Sequence, residues 1–278
     1  MVMTSERRQI ACKIQEQYGI SERMACRIMV ISQNTKRYMK KDDPENVRLT
    51  KRLESLSSKH PRYGYRRLHI MLLREGETIN VKRTYRLYKA AGLALKKKSK
   101  KRRYEKRGIP ENPLRKANAR WAMDFVSDRT SSGSAFRVLV IMDSVTKECL
   151  ALEADNSLGG NRVGQVLSRI AMFRGYPDEI LSDNGPEFTG NAMNKWSYDH
   201  NVRQIFIDPG KPTQNGAVES LNGKFRTECL NQHWFRHLVE AQGIIESWRH
   251  EYNDFRPHMS LGYMTPSEYA GELRKAVN

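Results

Sequence analysis

The chain has 278 residues, 38% of them hydrophobic, a mean hydropathy of −0.72 and a formal net charge of +18. Its best apolar run, "VLVIM" at 138–142, is strand length rather than the ~20 residues of a membrane span, and the N-terminus "MVMTSERRQI" carries no apolar signal region. Membrane-spanning and secreted classes are therefore disfavoured, and Cys12, Cys26, Cys149 and Cys229, scattered without a Cys-x-x-Cys pair, suit a reduced intracellular chain.

The charge is unevenly spread. Residues 1–120 hold 33 of the 49 Lys and Arg and 11 of the 31 Asp and Glu, a balance of +22; the rest of the chain balances at −4. A front half so basic points to a polyanion, and nucleic acid is the expected partner. Residues 7–18 place Ile10, Ala11 and Ile14 at helical spacing. "GIS" at 19–21 then breaks the helix, and Ser21 can cap the next one, "ERMACRIMVI". Helix, short Gly-containing turn, helix is a helix-turn-helix pattern, with Arg23 and Arg27 one turn apart on the second helix, so 1–37 reads as one module.

A charged linker at 38–46 leads to a second, basic three-helix module with a trailing arm, 45–107. Pro61 breaks its first helix, and Arg66 and Arg67 stand at the start of the second. The third has Asn80 as N-cap and Gly92 as stop. At about 100° per residue, Lys82, Arg83, Arg86 and Lys89 fall on one side of it, and Val81, Tyr85, Tyr88 and Ala91 on the other. Such a cationic face suits phosphate contact and entry into the major groove. "KKKSKKRRYEKR" at 96–107 is a DNA-tracking arm or a wing, and the Pro-containing 108–118 is the linker to the next domain.

From 119 to 278 the pattern changes to α/β. "RWAMDFVSD", "AFRVLVIMDSVT" and "KECLALEAD" read as consecutive strands, followed by helix, strand "DEILSD", helix, strand "VRQIFIDP" and helix "QNGAVESLNGKFRTECL". A mixed sheet with helices on its faces follows. Asp124 lies inside the first strand, Asp183 ends the fourth, and Glu219 comes 35 intervening residues later on a helix, with Asn222 and Arg226 beside it. If the first and fourth strands are neighbours, the three carboxylates converge. Their mutual repulsion then calls for divalent cations with hard oxygen ligands, Mg²⁺ or Mn²⁺. Two such ions can run an in-line phosphoryl displacement.

Other polar residues have blander readings. Asp143 is a turn former, Glu187 a helix-start acid, and Lys224 a solvated cation. Cys229, His233 and His237 are too far apart along a helix to share one ion, since eight residues span ~12 Å. The polar stretch 211–216 reads as a mobile loop ordered by DNA, and Arg256 and His258 fold back on the core.

"RWAMDFVSD", "LSDNGPEF" and "DPGKPTQNGAVESLNGKFRTECL" resemble the DDE integrase-core motifs of bacterial insertion-sequence transposases. The closest resemblance is to the second-frame (OrfB) product of the group encoded in two overlapping frames. "HPRYGYRRLHIMLLREG" is similar to that group's upstream helix-turn-helix region, and "WRHEYNDFRPHMSLGYMTPSEY" to its C-terminal tail. The resemblance implies an RNase H-like core preceded by all-α helix-turn-helix modules, with Asp124, Asp183 and Glu219 as catalytic and metal-binding triad. It implies two Mg²⁺ ions, replaceable by Mn²⁺, and strand cleavage and transfer at terminal inverted repeats of double-stranded DNA and into target DNA. Water and then a DNA 3′-OH serve as nucleophiles. Asn222 and Arg226 are implied to hold DNA ends; Gly223 stands where related integrases often carry Lys. A homo-oligomer on DNA, an upstream-frame (OrfA) partner or fusion, and a bacterial cytoplasmic, nucleoid-associated location are also implied. The competing readings are a non-catalytic regulator that occupies terminal repeats and a stand-alone RNase H-type nuclease.

Overall fold

A computed structural model describes residues 4–38, 43–95, 116–208 and 215–277. The basic run 96–107, residues 108–115 of the expected linker and most of the 211–216 loop lie outside them. Among the described residues no helix is long and apolar enough to cross a membrane. The chain divides into two compact units, Met1–Ser55 and Leu56–Asn278.

The first unit contains α1 (Thr4–Tyr18), α2 (Glu22–Ile28), α3 (Gln33–Arg37) and most of α4 (Pro44–Lys59). Gly19 takes φ +60 in the turn after α1, and the Ser21 side chain caps α2 by accepting from Met24 N–H at 3.3 Å. Ala11, Ala25 and Cys26 are buried, while Arg23 and Arg27 are exposed. The helix expected over 22–31 is shorter: it stops at Ile28, because Val30 adopts φ +52, where an α-helix cannot continue.

The second unit begins with the end of α4, then α5 (Tyr65–Arg74) and α6 (Val81–Ala90). Asn80 caps α6 by accepting from Lys82 N–H at 2.8 Å, and Gly92 follows at φ +71. The buried side of α6 is not the one expected. Thr84 and Tyr88 are buried, whereas Val81 and Tyr85 are exposed, Tyr85 resting on the Tyr65 ring at 4.8 Å. Lys82, Arg86 and Lys89 face solvent and Arg83 is half-buried, so the cationic side is narrower than the periodicity suggested.

The α/β portion is a five-stranded sheet: β1 (Arg120–Arg129), β2 (Ala135–Asp143), β3 (Cys149–Asp155), β4 (Glu179–Ser182) and β5 (Arg203–Phe206), in spatial order β3-β2-β1-β4-β5. β1, β2 and β3 pair antiparallel and β1, β4 and β5 parallel, giving the mixed RNase H-like sheet. Alternation along β1 sends Trp121 and Met123 to one face, and Ala122 and Val126 to the other. The first face is covered by α7 (Gly160–Arg174), the short α8 (Pro186–Thr189) and α9 (Asn191–Asp199). α7 and α9 approach closely because Gly164 has no side chain: a Cβ there would lie 3.2 Å from the Trp196 ring. The second face is covered by α10 (Gly216–Glu228) and α11 (Leu238–Asp254), through Val218, Leu221, Phe225, Ile245 and Trp248. α11 also closes the β3 edge, where the Asn253 amide exchanges two 2.8 Å hydrogen bonds with the Cys149 backbone.

The tail after α11 folds back as expected. Arg256 is 2% exposed and donates through Nε and Nη2 to Glu228 at 2.8 and 2.6 Å, fixing the C-terminal end of α10. Tyr252 and Tyr63 place their rings 5.6 and 5.9 Å from its guanidinium. His258, also buried, meets Tyr252 edge-on at 4.7 Å, and α12 (Pro266–Val277) ends the described chain.

A buried pair that loses one partner leaves a stranded charge. Arg256→Ala should therefore lower folding stability by about 3–5 kcal/mol in denaturant titrations, and adding Glu228→Gln should recover part of the loss. A loss below about 1 kcal/mol would mean the pair is screened like a surface bridge.

Candidate active site

The register of β1 and β4 brings two of the acids together. Ala122 pairs with Leu181, and continuing the parallel ladder by two residues puts Asp124 opposite Asp183. Because β4 is only four residues long, its carboxyl end falls against the middle of β1. Asp124 shares the parity of Ala122 and Val126 and thus faces the α10 side of the sheet. There α10 carries Glu219 in its first turn, exposed at the sheet's edge.

Each acid is held by its own local contacts. Asp124 Oδ2 accepts from Asn222 Nδ2 at 2.7 Å, and its Oδ1 accepts from the Phe125 N–H at 2.8 Å. Burial raises the Asp124 carboxyl above the usual carboxylate range; the Asp183 and Glu219 charges push the same way, against these hydrogen bonds. Asp183 Oδ1 accepts from Gly185 N–H at 3.0 Å. A Cβ at Gly185 would lie 3.0 Å from that oxygen and 3.2 Å from Glu187 Oε2, so the glycine sits closely between two acids.

The three carboxylates converge without closing. Among the described residues no group of three or more His, Cys, Asp and Glu stands in metal-holding geometry, so the cage is looser than the sequence suggested. Asp124 is held by Asn222 and Asp183 by the Gly185 N–H, while Glu219 is exposed. The donor set nevertheless fits a hard divalent cation. It offers carboxylate oxygens only, the desolvated Asp124 would gain from a cation, and the neighbouring Asn222 Oδ1 is buried without a partner.

Two supports escaped the sequence reading. Arg137 on β2 forms an ion pair with Glu187 and lies 4.0 Å over the Phe125 ring, holding Glu187 well below the usual carboxylate range through that hydrogen bond. A lone cation in "AFRVLVIM" was the available signal. Glu187 is thus a fixed neighbour of Asp183, in addition to being an acid at the start of α8. Asn215, 4% exposed, donates to the Met123 carbonyl at 3.2 Å and ties the start of α10 to β1 one residue from Asp124.

Other sequence candidates have other duties. Asp143 is fully buried and accepts from Val145, Thr146 and Asn118 N–H groups at 2.8–3.0 Å, as a turn former should. The His233 ring bonds the Cys229 carbonyl at 2.9 Å, and His237 caps α11. Arg226 donates to the Ser127 carbonyl at 3.2 Å and is exposed, as is Arg66. Arg67 turns inward, 3.9 Å from Glu228 and 5.4 Å over Tyr63, so its charge is committed within the protein.

Known proteins resemble this chain over nearly its full length. Two models described as "Integrase core domain" match residues 115–212 and 200–266, and one described as "HTH-like domain" matches 44–103. A Burkholderia multivorans protein named "Insertion element IS407 uncharacterized 31.7 kDa protein" is 44% identical, covering 95% of this chain and 96% of that one. The "Insertion element IS476 uncharacterized 39.2 kDa protein" of Xanthomonas euvesicatoria is 40% identical over 96% and 78%. The Escherichia coli "Transposase InsD for insertion element IS2A/D/F/H/I/K" is 25% identical over 78% and 76%.

The outer side of α10 departs from expectation. Lys224 is half-buried rather than solvated, 5.9 Å over the Tyr252 ring. Burial, with Arg256 and Arg67 nearby and Glu228 opposing, lowers its pKa to about 8. The unfolded chain then keeps a proton that the folded chain releases between about pH 8 and the ordinary lysine value of ~10.4, so this site's contribution to stability rises with pH across that window. Lys224→Met should be more stable than the parent at pH 7, and the gap should shrink toward pH 10.5; a pH-independent gap in paired denaturant titrations contradicts this.

Proposed function

Because the chain belongs to the family of integrase-core insertion-sequence transposases, enzymes of DNA strand cleavage and strand transfer, we propose that Asp124, Asp183 and Glu219 are its catalytic and metal-binding triad. The observation that carries this reading is the β1–β4 register that sets Asp124 opposite Asp183, with α10 supplying Glu219 on the face Asp124 looks toward. The family's chemistry depends on divalent metal. Two Mg²⁺ ions, with Mn²⁺ able to substitute, would supply activation of the attacking oxygen and charge stabilisation at the leaving oxygen of an in-line displacement.

The protein's own groups do the positioning. Asp124 and Asp183 hold the reacting phosphate's surroundings from adjacent strands, and Glu219 completes the set from α10. Asn222 aims Asp124 through its 2.7 Å hydrogen bond. Arg137 holds Glu187, and the Gly185 N–H holds Asp183. Water, then a DNA 3′-OH, is the nucleophile, and no Ser or Tyr of the chain forms a bond to DNA.

The partners follow from charge and exposure. The chain binds double-stranded DNA at the element's terminal inverted repeats and then target DNA. Arg23, Arg27, Arg66, Lys82, Arg86 and Lys89, all exposed, are the proposed phosphate and base contacts of the helical modules, with Arg83 at their margin and Asn222 and Arg226 beside the acids. Residues 1–37 and 45–107 act as recognition modules, 108–118 as linker and 119–278 as catalytic core. The working form is a homo-oligomer on DNA, joined by an upstream-frame segment as partner or fusion, in the bacterial cytoplasm.

Asp183→Asn removes one charge without changing shape. Cleavage and joining of end-labelled element termini in Mg²⁺ should fall below detection, while terminal-repeat binding stays within about threefold. Equal loss of binding and cleavage would contradict the assignment.

A further inference from the structure

Asp183 has an acidic neighbour besides Asp124. Its Oδ1 and the Glu187 Oε2 both lie within 3.2 Å of one point, the place a Cβ would take on Gly185. Asp183 can therefore share a cation with either of two carboxylates, Asp124 on the adjoining strand or Glu187 in the first turn of α8. The two choices lie toward different sides of the sheet. Asp124 faces α10, which carries Glu219, whereas α8 packs through Phe188 against the opposite face. A cation drawn toward Glu187 is drawn away from Glu219.

Arg137 decides between them. It stands among apolar residues of β2, and it shares the parity of Leu139 and Ile141, which sends it to the α8 side of the sheet. There it forms an ion pair with Glu187 rather than with Asp155, which lies opposite it on β3. Its guanidinium also lies 4.0 Å over the Phe125 ring, and Phe125 stacks on Phe188 at 5.1 Å. Phe125 follows Asp124 in the chain and Phe188 follows Glu187, so the arginine is fixed by the two backbone segments that carry these acids. A carboxylate engaged by an arginine has less charge and fewer lone pairs to offer a metal. The Glu187 side chain is only 20% exposed, so without Arg137 it would hold a poorly solvated charge that attracts another cation.

We propose that Arg137 is a specificity-determining residue that reserves the divalent cation for Asp124 and Asp183 by holding Glu187 out of the metal site, an inference that rests on the triad reading above. Arg137 touches neither DNA nor the reacting atoms in this role. It acts through Glu187, and its removal misplaces the cation rather than abolishing its binding.

The test uses the full chain and two readouts. Mn²⁺ binding to the protein alone is followed by loss of the free-ion electron paramagnetic resonance signal, and cleavage of end-labelled element termini is measured in Mg²⁺. Arg137→Met should bind Mn²⁺ about fivefold more tightly than the parent, because a freed carboxylate joins the site. Its cleavage should nevertheless fall about a hundredfold. Adding Glu187→Gln to Arg137→Met should return Mn²⁺ affinity to within about twofold of the parent and cleavage to within about fivefold. Arg137→Lys keeps the charge and should lose less than about tenfold in cleavage. A residue that merely braces the fold would give the opposite pattern, since removing Glu187 as well cannot restore a missing brace. The proposal is overturned if the double variant cleaves no better than Arg137→Met, if Arg137→Met loses Mn²⁺ affinity along with cleavage, or if Arg137→Lys falls as far as Arg137→Met. A parent chain that keeps its full Mn²⁺ affinity in Asp183→Asn overturns the triad reading, and this inference with it.

Discussion

The parallel pairing of β1 with β4, which sets two acids on adjacent strands with a third on the helix that covers them, is the constraint on which the rest of this structure depends. Parallel pairing of β1 with β4 forces Asp124 and Asp183 side by side, and α10 adds Glu219 from the adjoining face. Burial already makes ionised Asp124 costly, and its two neighbours make it costlier. The fold offsets this with hydrogen bonds that each acid takes from a different donor, Asn222 for one and the Gly185 N–H for another. The result is a site spread open, with the Asn222 Oδ1 beside Asp124 buried and without a partner. A divalent cation is the proposed source of the missing positive charge, since it would favour the ionised form of Asp124.

Keeping such a site assembled requires a rigid α10, and the chain fixes that helix at both ends. Asn215 ties its start to the Met123 carbonyl, and the buried Arg256–Glu228 pair ties its finish to the C-terminal tail. Val218, Leu221 and Phe225 glue the length between to the sheet. Tyr63 and Arg67, from the basic helical region, contact the same Arg256–Glu228 pair. The helix that carries Glu219 is therefore in contact, through that pair, with part of the segment matched as HTH-like.

Much of this was legible in the sequence because it is local. Ser21 and Asn80 cap the helices they precede, and β1 coincides with the apolar-rich "RWAMDFVSD". Asp183 follows a short strand just before an Asn-Gly-Pro turn. What escaped depends on residues remote in the chain. Helical periodicity put Lys224 on the side of α10 far from Glu219, but it could not show that Arg256 and Tyr252 would return to cover it. Arg67 reads as one more cation until Glu228 is found beside it. On α6 the cations defined one side well, yet the buried stripe runs through Thr84 and Tyr88, because packing by the preceding helices, rather than hydrophobicity alone, sets which side is covered. The pairing of Arg137 with Glu187 joins residues 50 positions apart and left only an isolated charge in an apolar strand as its trace.

Anomalous diffraction from crystals grown with Mn²⁺ tests the shared-cation site most directly. The account predicts metal peaks between the Asp124 and Asp183 carboxylates, with the Glu219 side chain swung inward as a ligand. Peaks bound elsewhere, or an ion that takes Asp183 while Asp124 stays on Asn222 and Glu219 stays in solvent, would contradict it.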